Sequence, residues 1–397
     1  VTAASRPITT PATPELFRGA LEFEHTPIGV RPHRLPAWAL DQARDAQLAM
    51  AQAQPSGVRI SVDTAATSIE VTALATRYGY RGVPARAPGV FDLVVDGRLH
   101  GRASLDTATV VTLDPATGVA DRADGVPGPV TFDRLPAGGK RVEIWLPHTE
   151  SVEIVELRSD EPLRPSVERR PTWLHHGSSI SHGSNADRPT GTWPAVAAAL
   201  AGLELTNLGL GGSAMLDPFT ARVIRDTPAD LISCKLGINL VNADVMRLRA
   251  FGPAVHGFLD TIRDGHPDTP LFVISPVYCP IHEHTPGPAD FDHAALAAGE
   301  MRFTASGDPA EVAAGKLTLT VVREHLARIV RERSATDPNL HHVDGLDLYG
   351  PADEQTHPLP DRLHPDTATH RLIGERFAAR LGRDAALSTD RGAHRAG

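Results

Sequence analysis

At 397 residues the chain is too long for one ordinary hydrophobic core, and two domains are the natural expectation. An apolar content of 41% with 22% charged residues describes a soluble globular protein. The formal charge of -9 argues against a nucleic-acid or anionic-membrane partner, because such partners recruit clustered Lys and Arg.

No stretch approaches the roughly 20 apolar residues that a membrane span needs. Residues 1–30 lack the basic start and apolar centre of a secretory signal, which favours a cytoplasmic protein, with a trimmed secreted form as the alternative. Cys234 and Cys279 lie in apolar, strand-like runs and read as buried free thiols rather than a disulfide framework.

In chain order, residues 1–15 are small, polar and Pro-containing, the composition of a loose terminus. Leu16 to Ala53 joins an irregular, Pro-marked segment to a helix predicted over Ala37–Ala53, expected to pack on the first domain. From Gly57 to Leu157 apolar residues alternate: Ile60 with Val62, Ile69 with Val71, Phe91 with Leu93 and Val95, Val142 with Ile144 and Leu146. That period of two puts one face of each strand on a core and one in water. Asp96-Gly97 is a hairpin turn by composition, since Gly tolerates the positive φ such turns require. Residues 113–140 read as a long loop with one strand around Val130–Phe132. Residues 1–165 are therefore expected to form an antiparallel β-sandwich with a leading irregular and helical segment.

The charged, Pro-containing stretch Arg158–Pro171 reads as a linker. Beyond it apolar strands alternate with helices. The strands are Thr172–His175, Glu204–Leu208, Leu231–Leu236, Leu271–Val277 and His341–Asp344. Helices are predicted near Trp193–Ala201, Pro218–Asp226, Ala254–Arg263, Leu319–Arg333 and Asp366–Leu381. Strands that are apolar throughout and separated by helices predict a parallel sheet covered on both faces, so residues 170–385 form a three-layer, doubly wound α/β domain. The Pro-, His- and Gly-rich insertion from Cys279 to about Lys316 follows a parallel strand and is expected to form a lid or pocket wall. Residues 386–397 are expected to be a flexible tail.

Chemistry concentrates in separated pieces of this second domain. Ser179, in Gly177-Ser178-Ser179-Ile180, falls at the carboxyl end of the first strand, where open α/β sheets bind ligands. A serine hydroxyl needs a base, and Asp361 stands three residues before His364, close enough to hold one imidazole nitrogen while the other faces the serine. Asn207-Leu208-Gly209-Leu210-Gly211-Gly212 follows the second strand, and glycine lets the backbone approach a reacting oxygen. Gly237-Ile238-Asn239 ends the third, where an Asn amide can donate to an oxyanion.

These blocks resemble, in order and placement, those of the SGNH or GDSL esterase family. The resemblance implies a flavodoxin-like α/β fold. It implies Ser179 as nucleophile, His364 as base and Asp361 as its orienting acid. The Ser179 and Gly212 N–H groups and the Asn239 amide become the oxyanion hole, and no cofactor or metal is required. Departures are Ser178, where the family has Asp, and Leu240, where Asp usually follows Asn. A β-sandwich before an SGNH domain also resembles two-domain carbohydrate esterases, in which a jelly-roll-like module packs beside a deacetylating domain. That likeness favours a small-molecule ester substrate, a short acyl group on a sugar or glycoside, cleaved through an acyl-enzyme. An acyltransferase using the same machinery and an inactive carbohydrate-binding protein stand as alternatives.

Other readings of the same residues are weaker. Gly209-x-Gly211-x-x-Ala214 imitates a dinucleotide fingerprint with Asp226 or Asp230 as ribose acid, but it is not on the domain's first strand. Ser181 stands where the α/β-hydrolase elbow Gly-x-Ser-x-Gly has its last glycine. His175-His176, His182 and His282-Glu283-His284 invite a zinc site, but neighbouring strand histidines point to opposite faces. His282 and Glu283 are instead expected to line the substrate pocket.

Overall fold

Alternation at period two resolves into two facing sheets in a computed structural model that describes residues 6–393 except 84, 115, 116 and 118. The first sheet has Ser68–Tyr80 and Ser151–Ser159 at its centre. Ala108–Leu113 and Gly128–Asp133 pair with the former, Val30–His33 and Ile8–Pro11 with the latter. The second is ordered Arg164–Pro165, Arg59–Thr64, Lys140–Trp145, Val90–Val95, Arg98–Ser104. Ile60, Val62, Ile69, Val71, Phe91, Leu93, Val142 and Ile144 are all fully buried between them, as their spacing requires. Asp96 and Gly97 turn the Val95–Arg98 hairpin at φ 47 and φ 79, the left-handed pair that a two-residue hairpin needs.

Three expectations are corrected here. The pairing of Ser68–Tyr80 with Ala108–Leu113 is parallel, within an otherwise antiparallel sandwich. The linker stretch begins inside the Ser151–Ser159 strand, and Arg164–Pro165 pairs with Asp63 and Val62, at a sheet edge where proline is tolerated. The predicted Ala37–Ala53 helix is two helices, Ala37–Ala43 and Ala46–Ala53. Arg44 breaks it at φ 46, and Asp45 caps the second piece by accepting the Leu48 N–H at 2.6 Å. Leu35, Ala39 and Leu48 bury against the α/β core, while Ala46–Ala53 also packs on the sandwich strands Val30–His33 and Ser151–Ser159, so the segment lies between the two domains.

The parallel sheet runs Glu204–Gly209, Thr172–Gly177, Leu231–Lys235, Leu271–Ile274, Leu340–Val343, which places the second strand at one edge and the first beside it. This is the flavodoxin-like order, with its switch point at the carboxyl ends of the first and third strands. Trp193–Ala201 and Thr367–Ala393 pack together on one face; Pro218–Asp226, Leu248–Gly265 and Leu319–Arg333 follow the other. Trp173, Trp193 and Phe377 meet ring to ring with centroids 5.3–6.0 Å apart at the centre of the first face. The last helix passes the expected end at Leu381 and continues to Ala393; residues 394–397 of the expected tail lie outside the described residues. Among the described residues no helix is long and apolar enough to cross a membrane.

The two domains meet along the edge strand Glu204–Gly209. Arg59 donates to Leu205 O at 3.1 Å, and Arg34 to Asn207 O at 2.9 Å and Gly209 O at 2.6 Å. Both guanidiniums are buried, and burial lowers the Arg34 pKa to about 9.

Candidate active site

The first strand ends at Gly177, and the chain turns at once into a single helical turn, Ser179–His182. Ser179 opens that turn, so its N–H has no acceptor within the helix. Its hydroxyl lies 3.0 Å from His364 Nε2, and His364 Nδ1 lies 2.8 Å from Asp361 Oδ2. A carboxylate only accepts, so Nδ1 donates to it and Nε2 is left to accept from the serine.

Asp361 is itself over-determined. Its Oδ1 accepts the N–H groups of Leu363 at 2.9 Å and His364 at 2.7 Å, a local turn made possible by φ 67 at Arg362. Asn185 Nδ2 donates to Oδ2 at 3.0 Å. Burial acts to raise the pKa of this carboxyl, but the His364 bond and charge and the two backbone donors outweigh it and hold the group below its ordinary value.

Three adjacent strand ends carry the expected oxyanion donors. Gly212, exposed and at φ 75, lies in the loop after the edge strand; Ser179 follows the neighbouring strand; Asn239 follows the third, in the short helix Ile238–Asn242. Asn239 Oδ1 accepts the Ala214 N–H at 3.1 Å, which fixes the amide's orientation and leaves its NH2 on the other side. Asn207 ties the loop to the Ser179 turn, donating to Ser181 O at 2.9 Å and accepting the Gly209 N–H at 2.8 Å.

Sandwich residues hold the same turn from behind. Ser56 Oγ donates to His182 O at 2.6 Å, His148 Nε2 to Gly183 O at 3.0 Å, and His182 Nε2 to His148 O at 2.7 Å. His175 and His176 of the zinc reading are engaged in the core. His175 bridges Ser233 and Ser181 at 2.7 and 2.8 Å, and His176 bonds Leu208 O at 2.9 Å. Burial pushes the His176 pKa down to about 4 and that of His175 well below its ordinary value. Asp230 bonds Thr172 at the opposite, amino-terminal end of the strands, far from the glycines it would serve in a dinucleotide site.

His282 and Glu283, expected at the pocket, lie at the base of the insertion. Both are buried; Glu283 pairs with Arg323 and accepts the Cys279 N–H at 3.0 Å, while His282 Nδ1 meets Thr285 O at 3.1 Å. The Glu283 side chain anchors the base of the insertion to the helix Leu319–Arg333, and the Leu319 N–H donates to His282 O at 2.9 Å. The insertion reaches that chain through Phe303, whose N–H donates to Asp361 O at 2.9 Å and whose ring stands edge-on to His364 at 5.6 Å. Phe303 and Asn185 were invisible to sequence reasoning, because no spacing rule links them to Asp361. Of the family departures, Ser178 is buried with no hydrogen-bond partner for its hydroxyl, and Leu240 is buried in the core.

Residues 172–280 match the family described as GDSL-like Lipase/Acylhydrolase. That stretch is similar to a GDSL-like acylhydrolase domain. The match spans Ser179, Gly212 and Asn239, while Asp361 and His364 lie beyond it. Among solved structures, the chain is similar to a salicylyl-acyltransferase, SsfX3, from a tetracycline biosynthetic pathway. The two are 28% identical over 96% of this chain and 99% of that one, with a TM-score of 0.77. A putative GDSL-like lipase from Bacteroides ovatus is 19% identical over 95% and 98%, with a TM-score of 0.67. A family two carbohydrate esterase from Clostridium thermocellum, in complex with cellohexaose, is 14% identical over 93% and 99%, with a TM-score of 0.56. Both likenesses below 25% identity concern the fold of the whole chain, sandwich included. No curated protein gives a significant match.

Proposed function

We propose that this acylhydrolase is a serine ester hydrolase that removes a short acyl group, acetyl by preference, from a sugar or glycosylated small molecule. The observation that carries the reading is the continuous bonding from Ser179 Oγ through His364 to Asp361, at 3.0 and 2.8 Å. Ser179 attacks the acyl carbon and His364 Nε2 takes its proton. Asp361 keeps Nδ1 protonated and stabilises the imidazolium. The Ser179 and Gly212 N–H groups and the Asn239 amide receive the oxyanion. His364 then returns its proton to the leaving alcohol, and water, activated by the same imidazole, cleaves the acyl-enzyme. No cofactor enters either step. Support for a sugar ester comes from the shared sandwich-plus-α/β architecture of the carbohydrate esterases. The intact hydrogen bonding of Ser179 speaks against a protein that only binds carbohydrate.

A second reading, acyl transfer to an alcohol other than water, is favoured by the full-length likeness to the salicylyl-acyltransferase. Both are tested with p-nitrophenyl acetate and octanoate, using the wild type and Ser179→Ala. The substitution should cost at least about a thousandfold in kcat/KM. The chain-length ratio sizes the acyl site, and the share of transesterified product formed with a competing alcohol separates hydrolysis from transfer. Unchanged turnover in Ser179→Ala would remove the serine from the reaction.

A further inference from the structure

The loop that carries Gly212 is held by a side chain from outside the α/β domain. Gln47, an exposed residue of the N-terminal helix Ala46–Ala53, donates from Nε2 to Gly211 O at 2.9 Å. A side chain at Gly212 would meet Gln47 Cγ at 3.2 Å and Nε2 at 3.3 Å, so Gln47 lies directly over the Gly211–Gly212 peptide.

This contact ends a row. Along the outward edge of Glu204–Gly209 and its continuation, alternate carbonyls take donors from the N-terminal region: Leu205 from Arg59, Asn207 and Gly209 from Arg34, Gly211 from Gln47. The inward groups serve the sheet; the Leu210 N–H donates to Gly177 O at 2.7 Å. Period-two bonding therefore runs past the end of the strand into the loop.

In a trans peptide the carbonyl of one residue and the N–H of the next point in opposite directions. Fixing Gly211 O outward fixes the Gly212 N–H inward. Between two glycines little else opposes a flip of that peptide, because glycine visits positive and negative φ with similar ease. A flipped peptide would turn a carbonyl oxygen toward the developing oxyanion.

We infer that Gln47 is a positioning residue of the oxyanion site, its amide holding the Gly211–Gly212 peptide in the orientation that offers the Gly212 N–H to the acyl oxygen. The inference rests on the serine-nucleophile reading above. Gln47 touches no reacting atom and acts through the peptide.

The test is a donor series at one exposed position. Gln47→Glu presents only acceptors and stabilises the flipped peptide; Gln47→Lys retains a donor; Gln47→Ala leaves the peptide unheld. With p-nitrophenyl acetate, kcat should fall at least about tenfold in Gln47→Ala and further in Gln47→Glu, with KM within about twofold and Gln47→Lys recovering most of the loss. The affinity of phenylboronic acid, which forms a tetrahedral serine adduct, should fall in step with kcat. A merely structural contact would leave boronate affinity unchanged in variants that remain folded by thermal unfolding. Wild-type kcat in Gln47→Glu, a loss confined to KM, or Gln47→Lys as impaired as Gln47→Glu would each overturn the inference. Ser179→Ala run alongside separates the two failures. If it is inactive while Gln47→Glu is fully active, the positioning role alone falls; if it remains active, the serine-nucleophile reading falls.

Discussion

Replacing Asp361 by Asn tests the orientation of His364 with almost no change of shape. Two backbone N–H groups, from Leu363 at 2.9 Å and His364 at 2.7 Å, converge on Oδ1, so the Asn side chain must place its oxygen there. Its NH2 then occupies the Oδ2 position, facing His364 Nδ1 and the Asn185 Nδ2 that donates to that oxygen at 3.0 Å in the wild type. Nδ1 is forced to accept, the imidazole proton moves to Nε2, and Ser179 loses its base. In the serine-protease triad the equivalent change costs about 10⁴ in kcat, or about 5 kcal/mol at 1.36 kcal/mol per decade. The new NH2 of Asp361→Asn also opposes the NH2 of Asn185, which adds a stability loss of about 1–3 kcal/mol. Truncating Asn185 to Ala in the same chain should restore that stability and none of the activity. The assay is kcat/KM with p-nitrophenyl acetate beside urea unfolding. A loss of activity below about a hundredfold in Asp361→Asn would refute the tautomer argument.

Asn239→Ala should lower kcat by about 10²–10³ through loss of an oxyanion donor. Asn239→Asp keeps an acceptor for the Ala214 N–H, at 3.1 Å in the wild type, but sets a charge against the oxyanion, so it should be the slower of the two; equal rates would count against the assigned role. Acid should also destabilise the fold well above the carboxylate range. Burial holds His148, His176 and His370 down to about 4, against an ordinary 6.5. The unfolded imidazoles take up protons as pH falls through 6.5 and the folded ones refuse them until about 4, so stability present above 6.5 is lost across that window. At pH 5 each costs about 2 kcal/mol relative to pH 7; an unchanged urea midpoint between these pH values would contradict the buried, neutral assignment.

Periodicity made most of the architecture legible. Pro218–Asp226 and Leu319–Arg333 begin and end where the sequence predicts, because each opens next to a cap or proline signal and presents one apolar stripe. Short edge strands such as Ile8–Pro11 and Ala120–Ala123 carry almost no buried residues and left no pattern to read. The Ala37–Ala53 error arose because alanine-rich sequence satisfies helix propensity on both sides of Arg44, and only the Asp45 cap marks the restart. Ser179, Gly212 and Asn239 stood out because each follows a strand end, and His364 because it stands three residues after Asp361 and just before the last helix. Asn185, Phe303 and Gln47 were not, since each acts on a backbone or carboxylate partner distant in sequence, and any number of polar or aromatic residues would have looked the same. The Glu283–Arg323 pair was equally hidden, because nothing in the sequence links an insertion carboxylate to a helix arginine forty residues on.

The donors on Leu205, Asn207, Gly209 and Gly211 stand in for a sixth strand. A sheet edge covered this way is closed to strand addition only while its neighbour stays in place. The unit that recombination can move is therefore neither the sandwich nor the α/β layer, but the pair. A sandwich borrowed from a relative would have to bring an arginine at the position of Arg34, another at that of Arg59 and a donor at that of Gln47, or leave the foreign edge ready to pair with a second copy of itself.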